Sequence, residues 1–140
     1  SFAEQHPRKI AVHLGYDEAL AHKIEAGSDI FLMPSIFEPC GLNQMYSLRY
    51  GTLPVVHAVG GLKDTVFELP FDKIDSLANG FVFHHPDGKD LFDAIERAAL
   101  AYQHPAIWKQ LQTNAMSQDF SWEQSAKHYA EIYTRITATG

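Results

Sequence analysis

The sequence predicts an α/β fold, a parallel sheet with flanking helices, and three observations carry that prediction. Short apolar runs that suit buried strands alternate with stretches at helical spacing. Glycine and proline punctuate the passages between them, as at Pro34, Gly41 and Gly60-Gly61. At 140 residues with 46% hydrophobic content, the chain can bury one core and is too short for two, so residues 1–140 read as a single domain.

Residues 1–6 carry no strand pattern and stop at Pro7, the pattern of an interrupted helix, so the chain is expected to begin inside a domain. Residues 9–14 (KIAVHL) alternate as a strand, Gly15-Tyr16 turns the chain, and Asp17 can cap a helix running to about Ala26 with Leu20 and Ile24 facing inward. Ile30-Phe31-Leu32-Met33 is the second strand, and Asn43 starts a helix to Tyr50. Residues 53–56 form the third strand, followed by Gly60-Gly61 and a short helical start over 62–66. Beyond Phe67 the pattern dissolves into a long surface loop, which ends at Asn79-Gly80 and the edge strand Phe81-Val82-Phe83. Leu91, Ile95, Ala98 and Tyr102 then mark an amphipathic helix capped by Asp87, and Pro105 opens another with Trp108, Leu111 and Ala115 on one face. Ser121-Trp122-Glu123-Gln124 is a capping box for a last helix that carries Ala126, Tyr129, Tyr133 and Ile136 on one side.

The formal net charge of -6 argues against a nucleic-acid partner, because the phosphate-neutralising surface such binders need is missing. No apolar run approaches the ~20 residues that cross a bilayer, so no membrane partner is expected. The single cysteine excludes an internal disulfide framework and a cysteine-based zinc site, and no Asp, Glu or His cluster has ligand spacing, so no metal is expected.

In an open parallel sheet, ligands sit beyond the carboxyl ends of the strands, where loop amides and helix N-termini converge. Three such ends can be named here: Gly15-Tyr16, residues 35–41, and residues 58–61. If their strands are neighbours, Tyr16 can stack on a base and free amides near Gly41 and Leu42 can meet a diphosphate. Glu38 would then face a sugar, and Gly60-Gly61 would permit close backbone approach. The expected ligand is a sugar nucleotide. Each residue also has a plainer role: Tyr16 as a surface or core tyrosine, Glu38 as a capping or surface carboxylate, Gly60-Gly61 as a turn. Cys40 has no base paired with it in sequence and reads as a buried hydrophobe, not a nucleophile. His84 and His85 point to opposite faces of a strand and cannot share one ion.

Phe37-Glu38-Pro39-Cys40-Gly41-Leu42-Asn43-Gln44, then Tyr50-Gly51-Thr52-Leu53-Pro54-Val55-Val56 and Gly60-Gly61-Leu62-Lys63-Asp64-Thr65-Val66, strongly resemble the glycogen/starch synthase family of retaining glucosyltransferases. The resemblance extends through Gly80-Phe81 and returns at Asp119-Phe120-Ser121-Trp122, which is similar to the closing helix of the bacterial glycogen synthases. It implies the GT-B fold, with this chain as the C-terminal, Rossmann-like part of the donor-binding domain. It also implies transfer of glucose from ADP-glucose to the non-reducing end of an α-1,4-glucan with retention.

By that resemblance Glu38 touches the donor sugar, Cys40, Gly41, Leu42 and Asn43 lie at the donor's phosphates and sugar, and Tyr16 stacks on adenine. ADP-glucose or ADP is the implied ligand, with no further cofactor, and the glucan acceptor is held by an N-terminal domain outside this chain. Many members carry Thr where Asn43 stands, and the second Glu of related transferases is Tyr46 here. The family's basic diphosphate-binding residues match nothing in the chain, so the isolated chain is expected to be inactive. A bacterial cytoplasm is the implied setting, with a plastid as the alternative. A non-catalytic nucleotide- or glucan-binding module is the rival reading.

Overall fold

The computed structural model describes residues 2–138. In chain order the helices are α1 (Phe2–Gln5), α2 (Glu18–Gly27), α3 (Asn43–Tyr50), α4 (Gly60–Thr65), α5 (Gly88–Tyr102), α6 (Pro105–Ser117) and α7 (Trp122–Thr137). The strands among the described residues are β1 (Ile30–Met33), β2 (Leu53–His57) and β3 (Phe81–Phe83), all parallel and ordered β1-β2-β3. No helix among these residues is long and apolar enough to cross a membrane.

The central strand β2 is buried along its whole length, which is why its sequence is a continuous apolar run and not an alternation. Its two faces serve different layers. Leu53 and Val55, with Phe81 and Phe83 of β3, pack against Leu48 of α3, Ala94, Ala98 and Ala101 of α5, and Trp108, Leu111 and Ala115 of α6. On the other face Val56 and Met33 meet Leu62 and Val66. Small alanines along α5 let that helix lie close to the sheet, and each large apolar side chain buried this way contributes about 1.5–3 kcal/mol.

Local signals placed most helices correctly. Asp17 and Asp87 cap α2 and α5 by accepting from the backbone N–H of Leu20 (2.9 Å) and Asp90 (2.8 Å). Pro105 stands in the first turn of α6, where its missing N–H costs nothing. The box at α7 is half closed: Ser121 Oγ accepts from Gln124 N, but the Ser121 N–H donates to Asp119 Oδ1 instead of the Gln124 side chain.

Two expectations fail here. Residues 9–14 form no strand; Val12 and Leu14 are exposed, because no described strand borders the segment to accept its backbone hydrogen bonds. Alternation alone cannot make a strand without a neighbour. The second failure is Ile24 on α2, which is exposed: Leu20 is half-buried as expected, and His22 and Glu25 complete the inward face. Thr52, just before β2, fixes that rotation by sharing its one hydroxyl proton between the carbonyls of Glu25 (2.6 Å) and Ser28 (2.9 Å).

The long loop before β3 is more ordered than its composition suggests. Asn114 of α6 donates to the carbonyls of Asp75 and Ala78, and a single 3-10 turn spans Phe71–Lys73. Glu68 accepts from the Val82 N–H (2.7 Å), and Arg97 reaches both Glu68 (2.6 and 3.0 Å) and the Val82 carbonyl (2.8 Å). Side chains thus occupy the hydrogen-bonding groups of the edge strand, one way of keeping an edge from pairing with another chain.

Glu25 is an exception in a largely paired interior, since its Oε2 is buried with no hydrogen bond. Burial pushes its carboxyl above the usual glutamate value, and His22, 3.6 Å away, offsets this only in part. A folded-state value above the unfolded one favours the protonated form in the fold, so this contribution is full below the unfolded value and is lost as pH rises through the folded one. Glu25→Gln should therefore raise the denaturation midpoint at about pH 8, with the gain shrinking below the ordinary glutamate value of about 4.3. Denaturant titrations at both pH values check this, and a gain of equal size at the two would show that ionisation of Glu25 is not its source.

Candidate functional site

β1 ends at Met33, Pro34 stops it, and residues 35–41 lead into α3. Leu42 occupies the N-cap position of α3 without a capping side chain, and the first helical bond runs from Tyr46 N to Leu42 O. The opening amides of α3 are thus left to solvent or a ligand, with the positive end of the helix dipole behind them. A cavity of about 350 Å³ opens there, lined by Met33, Glu38, Gly41, Leu42 and Asn43. Half-buried Glu38 accepts one long hydrogen bond from Ser35 Oγ (3.4 Å) and has no ion-pair partner among the described residues. A carboxylate and a set of helix-start amides therefore share one hollow.

The loop is held from behind. A Cβ on Gly60 would overlap the carbonyl of Glu38, and one on Gly61 would overlap the carbonyl of Cys40. Gly60 also takes a positive φ of 45°. The glycine pair thus lets the backbone of residues 38–40 rest on the first turn of α4, and neither glycine lines the cavity. His57, buried at the end of β2 and stacked on Phe83, donates from Nδ1 to the Ser35 carbonyl (2.8 Å). At the other end of the loop, Gln44 donates to the carbonyls of Cys40 (3.1 Å) and Gly41 (3.2 Å).

Several sequence expectations meet this geometry differently. Glu38, Gly41, Leu42 and Asn43 come together in the cavity. Cys40 is not a buried hydrophobe: its carbonyl turns inward to Gln44 and its side chain is exposed. Gly15 (φ 137°) and Tyr16 follow the unpaired segment 9–14 and do not line the cavity, and Tyr16 is 92% exposed. His85 pairs with Asp90 at 2.7 Å, which holds that carboxyl below its usual value, while the carbonyl of His84 lies 3.3 Å from His57 Nε2. No group of three or more His, Cys, Asp or Glu among the described residues could hold a metal ion. Lys63 faces a second, larger hollow of about 890 Å³ beneath residues 66–77. That space is mainly apolar, so chemistry, not size, singles out the smaller one.

Sequence reasoning missed His57, Gln44 and Thr65. The i,i+4 spacing of Cys40 and Gln44 was a usable signal, because a side chain in the first turn of a helix can reach back to the loop before it. His57 gave no such signal, as its partner lies 22 residues away.

Residues 6–114 match the family described as Glycosyl transferases group 1. The chain is 70% identical over 134 residues to the glycogen synthase of Cellvibrio japonicus (strain Ueda107), covering 96% of this chain and 28% of that protein. It is 56% identical over 137 residues to the glycogen synthase of Nitrosomonas eutropha (strain DSM 101675 / C91 / Nm57), covering 97% and 27%. Among solved structures, the catalytic domain of starch synthase IV from Arabidopsis thaliana bound to ADP and acarbose superposes with a TM-score of 0.82 at 42% identity, covering 96% of this chain and 28% of that one. Sucrose-phosphate synthase from Thermosynechococcus elongatus shares the fold, with a TM-score of 0.61 at 22% identity over 99% of this chain and 33% of that one. The chain thus spans a little over a quarter of the length of the curated relatives it matches.

The glycine contact has a direct test. Gly61→Ala should destabilise the chain by about 1–3 kcal/mol, the usual cost of forcing a methyl group into filled space. Gly88→Ala, at a helix start with open space around it, should be harmless. Denaturant melts of both variants check this, and equal midpoints would mean that the loop does not rest on α4.

Proposed function

Since the chain belongs to the group 1 glycosyl transferases, we propose that it is the donor-binding part of a glycogen synthase, the C-terminal Rossmann-like part of a GT-B enzyme. In this reading, the enzyme transfers glucose from ADP-glucose to the non-reducing end of an α-1,4-glucan with retention. The observation that carries it is the shared cavity of Glu38 and the uncapped start of α3 at the carboxyl end of β1. The glycogen synthases named above and the ADP in the starch synthase structure support the choice of donor.

The chemistry follows from what develops charge. As the bond between glucose and the diphosphate breaks, negative charge grows on the leaving ADP, and the amides of Gly41, Leu42 and Asn43 with the dipole of α3 are placed to receive it. Glu38 holds the sugar on the side away from those donors, as a hydrogen-bond acceptor for its hydroxyls and a negative charge near the reacting carbon. Asn43 stands at the same rim and offers an amide to phosphate or sugar. The five residues that line the cavity include no lysine or arginine, so cationic stabilisation of the diphosphate has to come from beyond this lining. Tyr16 has its ring free to stack on adenine once the base is present. The exposed Cys40 thiol takes no covalent part, and ADP-glucose serves as substrate without a further cofactor or metal. The acceptor glucan binds through the domain outside this chain, and the bacterial relatives support a bacterial cytoplasm over a plastid.

In the full-length enzyme, Glu38→Ala should lower kcat by at least ~100-fold while ADP affinity stays near that of the wild type, as for the loss of one placed electrostatic group. Steady-state kinetics with ADP-glucose and glycogen, alongside calorimetry with ADP, check this. A variant with near-normal kcat would reduce Glu38 to a structural carboxylate.

A further inference from the structure

Gln44 is fully buried, and its side-chain amide makes a set of contacts that a merely space-filling residue would not need. Nε2 donates to the carbonyls of Cys40 and Gly41 and lies 3.3 Å from Thr65 Oγ1. The Thr65 hydroxyl spends its own proton on the Gly61 carbonyl (2.6 Å), so toward Gln44 it is an acceptor that shares one of the two Nε2 protons with a loop carbonyl. The Thr65 carbonyl in turn accepts from Asn79 Nδ2 (3.0 Å), whose Oδ1 accepts from the Phe67 N–H (2.8 Å). A buried polar chain thus ties the loop to α4 and to the residues that lead into β3.

The amide has one workable orientation, because a flip would turn its oxygen onto two carbonyls. In that orientation Oε1 has no partner and would overlap a Cβ on residue 41. Gly41, at a φ of 71°, leaves room for it. A buried acceptor without a donor costs stability, and such orphans in a native fold call for a reason other than stability.

Peptide planarity supplies that reason. In a trans peptide the carbonyl of one residue and the N–H of the next point in opposite directions. With the carbonyls of Cys40 and Gly41 drawn inward by Gln44, the N–H groups of Gly41 and Leu42 must point away from it, and both residues line the cavity. Successive amides aimed at one space form an anion-binding concavity. We propose that Gln44, backed by the Thr65 hydroxyl, is a positioning residue that sets the peptide planes of residues 40–42 and so aims two N–H donors at the distal phosphate of the donor. This rests on the donor-site reading above.

The test uses the full-length enzyme with Gln44→Met, which keeps the length and loses the donors, and the pair Thr65→Val and Thr65→Ser. Binding of ADP and AMP by calorimetry, kcat and KM for ADP-glucose, and the melting temperature are measured for each. Gln44→Met should weaken ADP at least tenfold, about 1.4 kcal/mol, while leaving AMP nearly unchanged, and it should melt no lower than the wild type. Thr65→Val should move the ADP-to-AMP preference the same way, and Thr65→Ser should restore it. A Gln44→Met enzyme with wild-type preference for ADP overturns the proposal, as does equal weakening of both nucleotides together with a lower melting temperature. A wild type that prefers ADP but transfers no glucose overturns the reaction assigned above, and the ADP-to-AMP comparison then still decides the role of Gln44; a wild type that binds neither nucleotide overturns both.

Discussion

The backbone contact between residues 38–40 and Gly60-Gly61 is the constraint on which the site depends. Two loops from neighbouring strands can touch in this way only if the strands end level and if one loop has no side chains at the contact. The parallel register supplies the first condition by pairing Met33 with Val56. The glycines supply the second. β2, buried on both faces and hydrogen-bonded on both sides, is the most fixed element of the sheet, so the loop inherits its precision from the core and not from its own sequence.

This arrangement also explains how an exposed loop can be a defined site. Residues 36, 37, 39 and 40 are exposed, yet the segment is tied at Ser35 by His57 and at Cys40 and Gly41 by Gln44. What remains open are the amides at the start of α3 and the carboxylate of Glu38. Phosphate favours the first and sugar hydroxyls the second, so one small hollow offers different partners to the two halves of a nucleotide sugar. The larger, mainly apolar hollow under residues 66–77 has the Glu68 and Arg97 pair satisfied within the fold, and Lys63 and Asp75 on its lining are exposed to solvent.

Much of this was legible in the sequence, for identifiable reasons. Ile30 to Met33 and the run around Val55 read as parallel strands from their continuous apolar runs. Burial along the whole strand holds for β2 alone, while β1, at the edge of the described sheet, buries Met33 and leaves Leu32 exposed. Asp17, Asp87, Pro105 and Ser121 marked helix starts because capping is local chemistry. The segment 9–14 misled because a strand exists only through its neighbour, and α2 misled because Thr52, beyond β1 and α3 in the chain, sets its rotation. The loop pattern pointed to Glu38, Gly41 and Leu42 and the resemblance added Asn43, and the four line one cavity, whereas Gln44, Thr65 and His57 act through contacts between elements that no window of sequence displays. The glycine pair was noticed, but its use, to support a loop and not to touch a ligand, needed the fold.

A crystal structure of the full-length enzyme with ADP bound tests the role of the glycine-supported loop most directly. The distal phosphate should lie within hydrogen-bond distance of the amides of residues 41–43, with residues 38–40 still resting on Gly60-Gly61 as they do here. ADP held elsewhere, or a loop lifted off the glycine pair when the nucleotide binds, would contradict it.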